Sequence, residues 1–250
     1  TALVDLQGEI APDSRANAET INSALNAAFE SNESVGVILR INSPGGSPVQ
    51  SGIIHDEILR LRAKYPEKSL HVVVEEICAS GGYYVASAAE NIYVDKASLV
   101  GSIGVIMNGF GVTGLMEKLG IERRAITAGK NKALLDPFSK QDPKQKEFVQ
   151  GMISEVHEQF IKVVRDGRGD RLKETPDMFT GLVWNGAKSV ELGLSDGLSS
   201  VDGVARDVFK ASTIVDYTMK DNLAERVAKR FGAAMGEGAT RVLMYGGQMR

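Results

Sequence analysis

Cysteine occurs once in these 250 residues, at position 78, so neither an internal disulfide nor an all-cysteine zinc cluster can form. Histidine is scarce too: three residues, scattered at 55, 71 and 157, do not favour a metal centre, and we expect neither metal nor cofactor. An excess of one charge is also missing. The 29 lysines and arginines stand against 32 aspartates and glutamates for a formal net charge of −3, which provides no basic field for nucleic acid. Long apolar runs are absent, none approaching the roughly 20 residues that cross a bilayer. The first residues, Thr1-Ala2-Leu3, include no initiating methionine, which leaves room for a targeting or anchoring segment ahead of them. What remains is 43% hydrophobic and 24% charged, a balance that suits a globular domain with a large core.

Apolar strands and amphipathic stretches alternate along the chain. Ala2-Leu3-Val4-Asp5-Leu6 reads as a short strand, and residues 17–30 follow with helical spacing that sets Ile21, Leu25, Ala28 and Phe29 toward one face. The compact β-branched run at 35–41 predicts a buried strand. The turn Asn42-Ser43-Pro44-Gly45-Gly46 then leads into a helix over 49–64. Leu70-His71-Val72-Val73-Val74, the turn Ser80-Gly81-Gly82 and a helix over 83–89 repeat the plan, with further strands expected at 92–94, 103–106 and 124–127. Units of this length imply parallel pairing with helical crossovers. A long amphipathic helix over 142–164 starts on Asp142-Pro143 and carries Phe148, Met152, Val156, Phe160 and Val163. Another helix is expected over 221–235, broken by Gly236-Glu237-Gly238 and followed by a loose tail. The predicted fold class is α/β, with one domain over 1–212 and a helical extension and tail over 213–250.

Two glycine turns stand at the ends of consecutive predicted strands, where the loops of an α/β sheet converge on a ligand. Pro44-Gly45-Gly46 and Ser80-Gly81-Gly82 can each turn backbone N–H groups toward an oxygen with no side chain in the way. A helix starting after Ser80 adds free N–H groups and a dipole that favours negative charge. Serine is also a preferred helix cap, and taken alone Ser80 reads more readily as a cap than as a nucleophile. The pair of turns in register shifts the balance toward chemistry.

A serine hydroxyl needs a base to take its proton. His55 falls in a helix, His71 at the start of a strand and His157 on an expected solvated face of the long helix, so no Ser-His-Asp triad is apparent. There is no G-x-S-x-G elbow either. A lysine serves as base when burial lowers its pKa from about 10.4. Ala128-Gly129-Lys130-Asn131-Lys132-Ala133 offers two, and spacing does not choose between them. Cys78 reads as a small core residue. The adjacent carboxylates Glu75 and Glu76 follow three valines, and one is expected to turn toward the core or a subunit contact.

Taken together, Ile41-Asn42-Ser43-Pro44-Gly45-Gly46, Ala79-Ser80-Gly81-Gly82-Tyr83-Tyr84 and Val100-Gly101-Ser102-Ile103-Gly104-Val105 resemble the signal peptide peptidase A (protease IV/SohB) family. Gly181-Leu182-Val183-Trp184-Asn185-Gly186-Ala187 and Gly193-Leu194-Ser195-Asp196 fit its pattern too, and the similarity runs over about 2–205. The resemblance implies a Clp-protease/crotonase-like fold of stacked ββα-type units and a serine endopeptidase with a Ser/Lys dyad. Ser80 matches the nucleophile. Lys132 matches the general base, because the family's lysine follows a glycine by three positions, as Lys132 follows Gly129. Asn131 stands where the family often has an aromatic, which keeps Lys130 as a competitor. Ser102 matches a serine that hydrogen-bonds the lysine, and Gly46 and Gly81 match the donors of the oxyanion hole.

The same resemblance implies hydrophobic peptide substrates such as cleaved signal peptides, with Gly109-Phe110-Gly111 expected in their groove. It implies homo-oligomers in which serine and lysine meet across neighbouring subunits. It also implies membrane association through a segment absent from this chain, at the bacterial inner membrane with this domain on the periplasmic side. No nucleic-acid partner is expected. Two alternatives share the fold: a crotonase-like acyl-CoA enzyme, a class that generally lacks the serine at this helix start, and an inactive scaffold, which would not need serine, lysine and both glycines.

Overall fold

Three largely apolar runs make the centre of the sheet: β1 (Ala2–Gln7), β2 (Val37–Ser43) and β3 (Leu70–Ala79). They pair in parallel, with Ala2 opposite Val37 and Val37 opposite Leu70. Between them run α1 (Ala18–Glu30) and α2 (Pro48–Lys64), each started by a side-chain cap. The Asn17 side chain accepts from Thr20 N, and that of Ser47 accepts from Gln50 N with Pro48 in the first turn. These crossovers bury Ile21, Leu25, Phe29, Ile54 and Ile58 against Leu6, Leu39, Ile41 and Val72. Each such side chain contributes about 1.5–3 kcal/mol on leaving water.

After α3 (Gly81–Ala86) come β4 (Asn91–Val94) and β5 (Leu99–Gly101). β3 serves both. Its residues 71–73 pair with β4 and its residues 77–79 with β5. The switch is made by an irregularity: Ile41 lies opposite Val74, but Ser43 lies opposite Cys78, so two residues of β2 face four of β3. Glu75, Glu76 and Ile77 fill that extra length, which accounts for the two adjacent carboxylates. Glu75 lies 3.2 Å from Arg40, whose guanidinium also grips Asp5, while Glu76 is exposed.

Beyond β5 the chain departs from expectation. Gly101 (φ 117°) and Ser102 (φ 52°) end the strand, so the strand expected at 103–106 does not form and only Ile103 is buried there. Residues 124–127 are not a strand either; among the described residues they pair with none, and Ile126 is fully exposed. No residue from 104 to 148 is buried, although α4 (Thr113–Leu119) lies among them. α5 (Pro143–Arg168) is longer than predicted. Only its second half packs on the core, through Phe160 and Val164, whereas Phe148 and Met152 stay exposed.

The sheet is completed by β6 (Val183–Asn185), antiparallel to β5, then by β7 (Gly197–Leu198) on β4 and β8 (Val215–Asp216) on β1. α6 (Gly186–Glu191) and α7 (Val201–Gly203), which runs on as a wider helical turn over Val204–Val208, close the order. The structure, a computed structural model, describes residues 1–219, so the helix expected over 221–235 and the tail lie outside the described residues. Residues 213–217, read from sequence as the start of the extension, are part of the compact unit Thr1–Tyr217. Among the described residues no helix is long and apolar enough to cross a membrane.

Candidate active site

The two glycine turns meet. A Cβ on Gly45 (φ 96°) would lie 2.6 Å from Gly81 N and 2.8 Å from Ser80 Cβ, so only glycine lets the loops approach this closely. Gly46 sits in a short parallel bridge with Ile10: Ile10 N donates to Gly45 O (2.8 Å), and Ser47 N donates to Ile10 O (2.7 Å). The residue between two such bonds turns its own N–H to the opposite side. That side is α3, since a Cβ on Gly81 would stand 3.3 Å from Gly46 N. Gly81 opens α3, and the first N–H groups of a helix have no partner within it. Two backbone donors thus converge beside Ser80.

Ser80 itself is not a cap. A capping serine has extended backbone and accepts a hydrogen bond from the first turn. Ser80 has φ 51° and ψ −123°, and its side chain makes no capping bond. The left-handed region costs an L-residue about 1–2 kcal/mol, and such strain gathers where a side chain must be presented. Here the Ser80 hydroxyl is lifted out of the strand end, half-buried and uncommitted.

Ser102 holds the matching place on the next strand. Ala79 lies opposite Gly101, and Ser80 N donates to Gly101 O (2.8 Å). Each serine follows its paired residue with nearly the same positive φ, 51° and 52°. Ser80, Ser102, Gly46 and Gly81 are therefore assembled by one set of strand ends. Ser51 of α2 joins them unannounced by any motif: fully buried, its hydroxyl stands 2.4 Å from where a Gly81 Cβ would be.

Lys132 is not assembled with them. It lies in a turn where its N–H donates to Gly129 O (3.1 Å), and its side chain is exposed, as is that of Lys130. Among the described residues neither amine has a hydrogen-bond or ion-pair partner. Gly109-Phe110-Gly111 lines a groove of about 900 Å³ with Met107, Leu135 and Val149.

No histidine serves Ser80. His55 Nδ1 faces Asp56 (3.1 Å) within α2. His71 is buried between Tyr93 and Phe209 near the start of β3. His157 is not on a solvated face as expected: half-buried, its Nε2 lies 3.2 Å from the Ile103 carbonyl. Burial pushes the Cys78 thiol far up, which leaves it an inert core residue. Among the described residues no cluster of acidic, histidine or cysteine side chains is arranged to hold a metal.

These strand-end turns belong to a known architecture. A ClpP1 mutant from Listeria monocytogenes superposes with a TM-score of 0.51 over 81% of this chain and 94% of its own, at 17% sequence identity; the fold is of the Clp-protease type. The model of peptidase family S49 matches residues 62–214, and the chain belongs to that family. It is 34% identical over 200 residues to a putative protease of Methanocaldococcus jannaschii, covering 78% of this chain and 63% of the relative. With the probable protease SohB of Haemophilus influenzae it shares 29% over 242 residues, 96% of this chain and 66% of the relative. It is also 42% identical over 185 residues to a Na⁺/H⁺ antiporter NhaA of Brucella melitensis, covering 74% of this chain but 25% of that protein. The chain thus spans between a quarter and about two thirds of the length of these relatives.

Proposed function

We propose that this protein is a serine peptidase in which Ser80 attacks the scissile carbonyl and a lysine acts as base. The carrying observation is the strained, uncapped Ser80 beside the free N–H groups of Gly46 and Gly81. In this reading Lys132 takes the Ser80 proton as the Oγ–C bond forms, and the two N–H groups stabilise the oxyanion by about 3 kcal/mol per donor. Lys132 then gives the proton to the leaving amine, and water releases the acyl group. Ser102 orients the amine.

A solvated ammonium is a poor base, so Lys132 must be desolvated to act. Its exposure, in a region with no buried residue between 104 and 148, favours a neighbouring copy of the chain as the cover. Ile106, Phe110, Leu119 and Ile126 are each more than half exposed there, an apolar surface of the kind that marks an interface. Substrates are hydrophobic peptides, cleaved signal peptides among them, seated by backbone pairing along the groove that Phe110 lines. The protein works at the bacterial inner membrane on its periplasmic side, held there by a segment outside this chain.

A fluorophosphonate probe tests the reading. The wild-type chain is expected to be labelled at Ser80 and to cleave an apolar peptide, and Ser80→Ala is expected to do neither. Labelling elsewhere, or hydrolysis undiminished in Ser80→Ala, would refute it.

A further inference from the structure

Ser102 is held in a conformation that an L-residue does not keep unaided. Three hydrogen bonds constrain the segment around it. Ser80 N donates to Gly101 O (2.8 Å), Ser102 N donates to Leu182 O (2.7 Å), and His157 Nε2 faces Ile103 O (3.2 Å). The first two are backbone bonds just past the strand ends. The third is the one side-chain bond of the set, and it comes from α5. A carbonyl only accepts, so Nε2 carries the proton, as it does in both the imidazolium and this neutral tautomer.

The position of this bond gives it leverage. Ile103 is fully buried, yet from Gly104 to Phe148 no residue is. The carbonyl that His157 engages therefore lies where the chain leaves the core for the exposed region carrying Lys130 and Lys132. We infer that His157 is a positioning residue: through the Ile103 carbonyl it fixes the strained Ser102 beside Ser80 and clamps the root of the exposed region. This rests on the peptidase reading for its kinetic consequence but not for its structural one. His157 touches no reacting atom. It acts by narrowing the range of Ser102 positions, which affects turnover more than substrate binding.

The test pairs His157→Leu, which cannot donate, with His157→Gln, whose Nε2 can reach the same carbonyl. Both are made in the full chain. His157→Leu is expected to lose about tenfold in kcat on an apolar peptide with KM within about twofold, and His157→Gln to keep near wild-type turnover. Amide hydrogen exchange at 102–106 is expected to quicken about tenfold in His157→Leu alone, with β1 and β2 unchanged. A leucine variant with wild-type kcat and wild-type protection at 102–106 overturns the inference. So does a general loss of protection through β1–β3 that glutamine fails to restore, which would mark His157 as merely structural. If the wild-type chain cleaves no peptide, the peptidase reading falls, and the exchange data still decide the role of His157.

Discussion

A serine with φ 51° and ψ −123° occupies backbone space that suits glycine. Ser80 stays there because its neighbours leave it no alternative: its N–H is tied to Gly101 O, and its carbonyl accepts from Tyr84 N to start α3 (2.8 and 2.9 Å). The strain has a measurable consequence. Ser80→Gly and Ser80→Ala both remove the hydroxyl, and both are expected to abolish labelling. Glycine relieves the backbone and alanine does not, so Ser80→Gly is expected to be about 1 kcal/mol the more stable of the two. Thermal unfolding would show this as a Tm higher by roughly 2–4 °C. Equal Tm values would mean that the strain is absent.

At the scale of elements, the most consequential contact is a buried ion pair. Arg168 at the end of α5 is 1% exposed, and its Nη1 and Nη2 reach the two oxygens of Asp196 at 2.9 Å, while its Nε donates to Gly193 O. Asp196 also accepts from Ile92 N (2.7 Å) at the start of β4. The pair thus joins α5 to β4 and the approach to β7. Burial pushes the Asp196 carboxyl up, but its bonds to Arg168 and Ile92 outweigh this and hold it below the ordinary carboxylate range. That stabilisation is present above the unfolded pKa and is lost as pH falls through the lower folded one. Arg168→Met leaves Asp196 with Arg171, whose Nη1 lies 3.0 Å from it, and with Ile92 N, so it is expected to cost about 3 kcal/mol in urea unfolding, the low end for a broken buried pair.

His71 on β3 has the opposite chemistry. Burial between Tyr93 and Phe209 lowers its pKa, and its Nδ1 has no hydrogen-bond partner. The unfolded chain then binds the proton first, so stability is lost as pH falls below about 6.5. His71→Phe is expected to flatten that limb by up to about 1.4 kcal/mol per pH unit, read from unfolding midpoints between pH 7 and 5. An unchanged slope would assign the limb to other groups.

For the molecule as a whole, the segment from 104 to 148 poses the question of assembly. A single chain leaves Phe110 87% and Ile126 101% exposed, a surface that isolated soluble chains seldom present in quantity. If a neighbouring copy covers it and brings Lys132 to Ser80, two inactive chains can complement each other. Mixing Ser80→Ala with Lys132→Met after dissociation and reassembly is expected to restore a substantial fraction of wild-type hydrolysis, through sites that draw serine and lysine from different chains. Mixtures as inactive as their parents would place both residues in one chain. Lys130→Met by itself decides between the two lysines: it is expected to stay active, and its inactivity alongside an active Lys132→Met would make Lys130 the base.

Much of this was legible without coordinates, because it depends on near neighbours in the chain. Asp142 caps the long helix that follows it, and the runs at 2–6, 35–41 and 70–74 give strands, the second of them starting at Val37 rather than Val35. The glycines after Pro44 and Ser80 mark turns that only glycine can make so close together. Where the sequence pattern failed, distant parts of the chain decide. The stretches at 103–106 and 124–127 look like strands, yet among the described residues no edge is offered to them. The extra length of β3 at Glu75–Ile77 appears only against β2 and β5. The sign of φ at Ser80, the pairing of Ala79 with Gly101 that puts Ser102 alongside, and the bond from His157 to Ile103 are likewise tertiary. Each arises from hydrogen bonds between residues 20 or more positions apart, whose partners no local pattern can name.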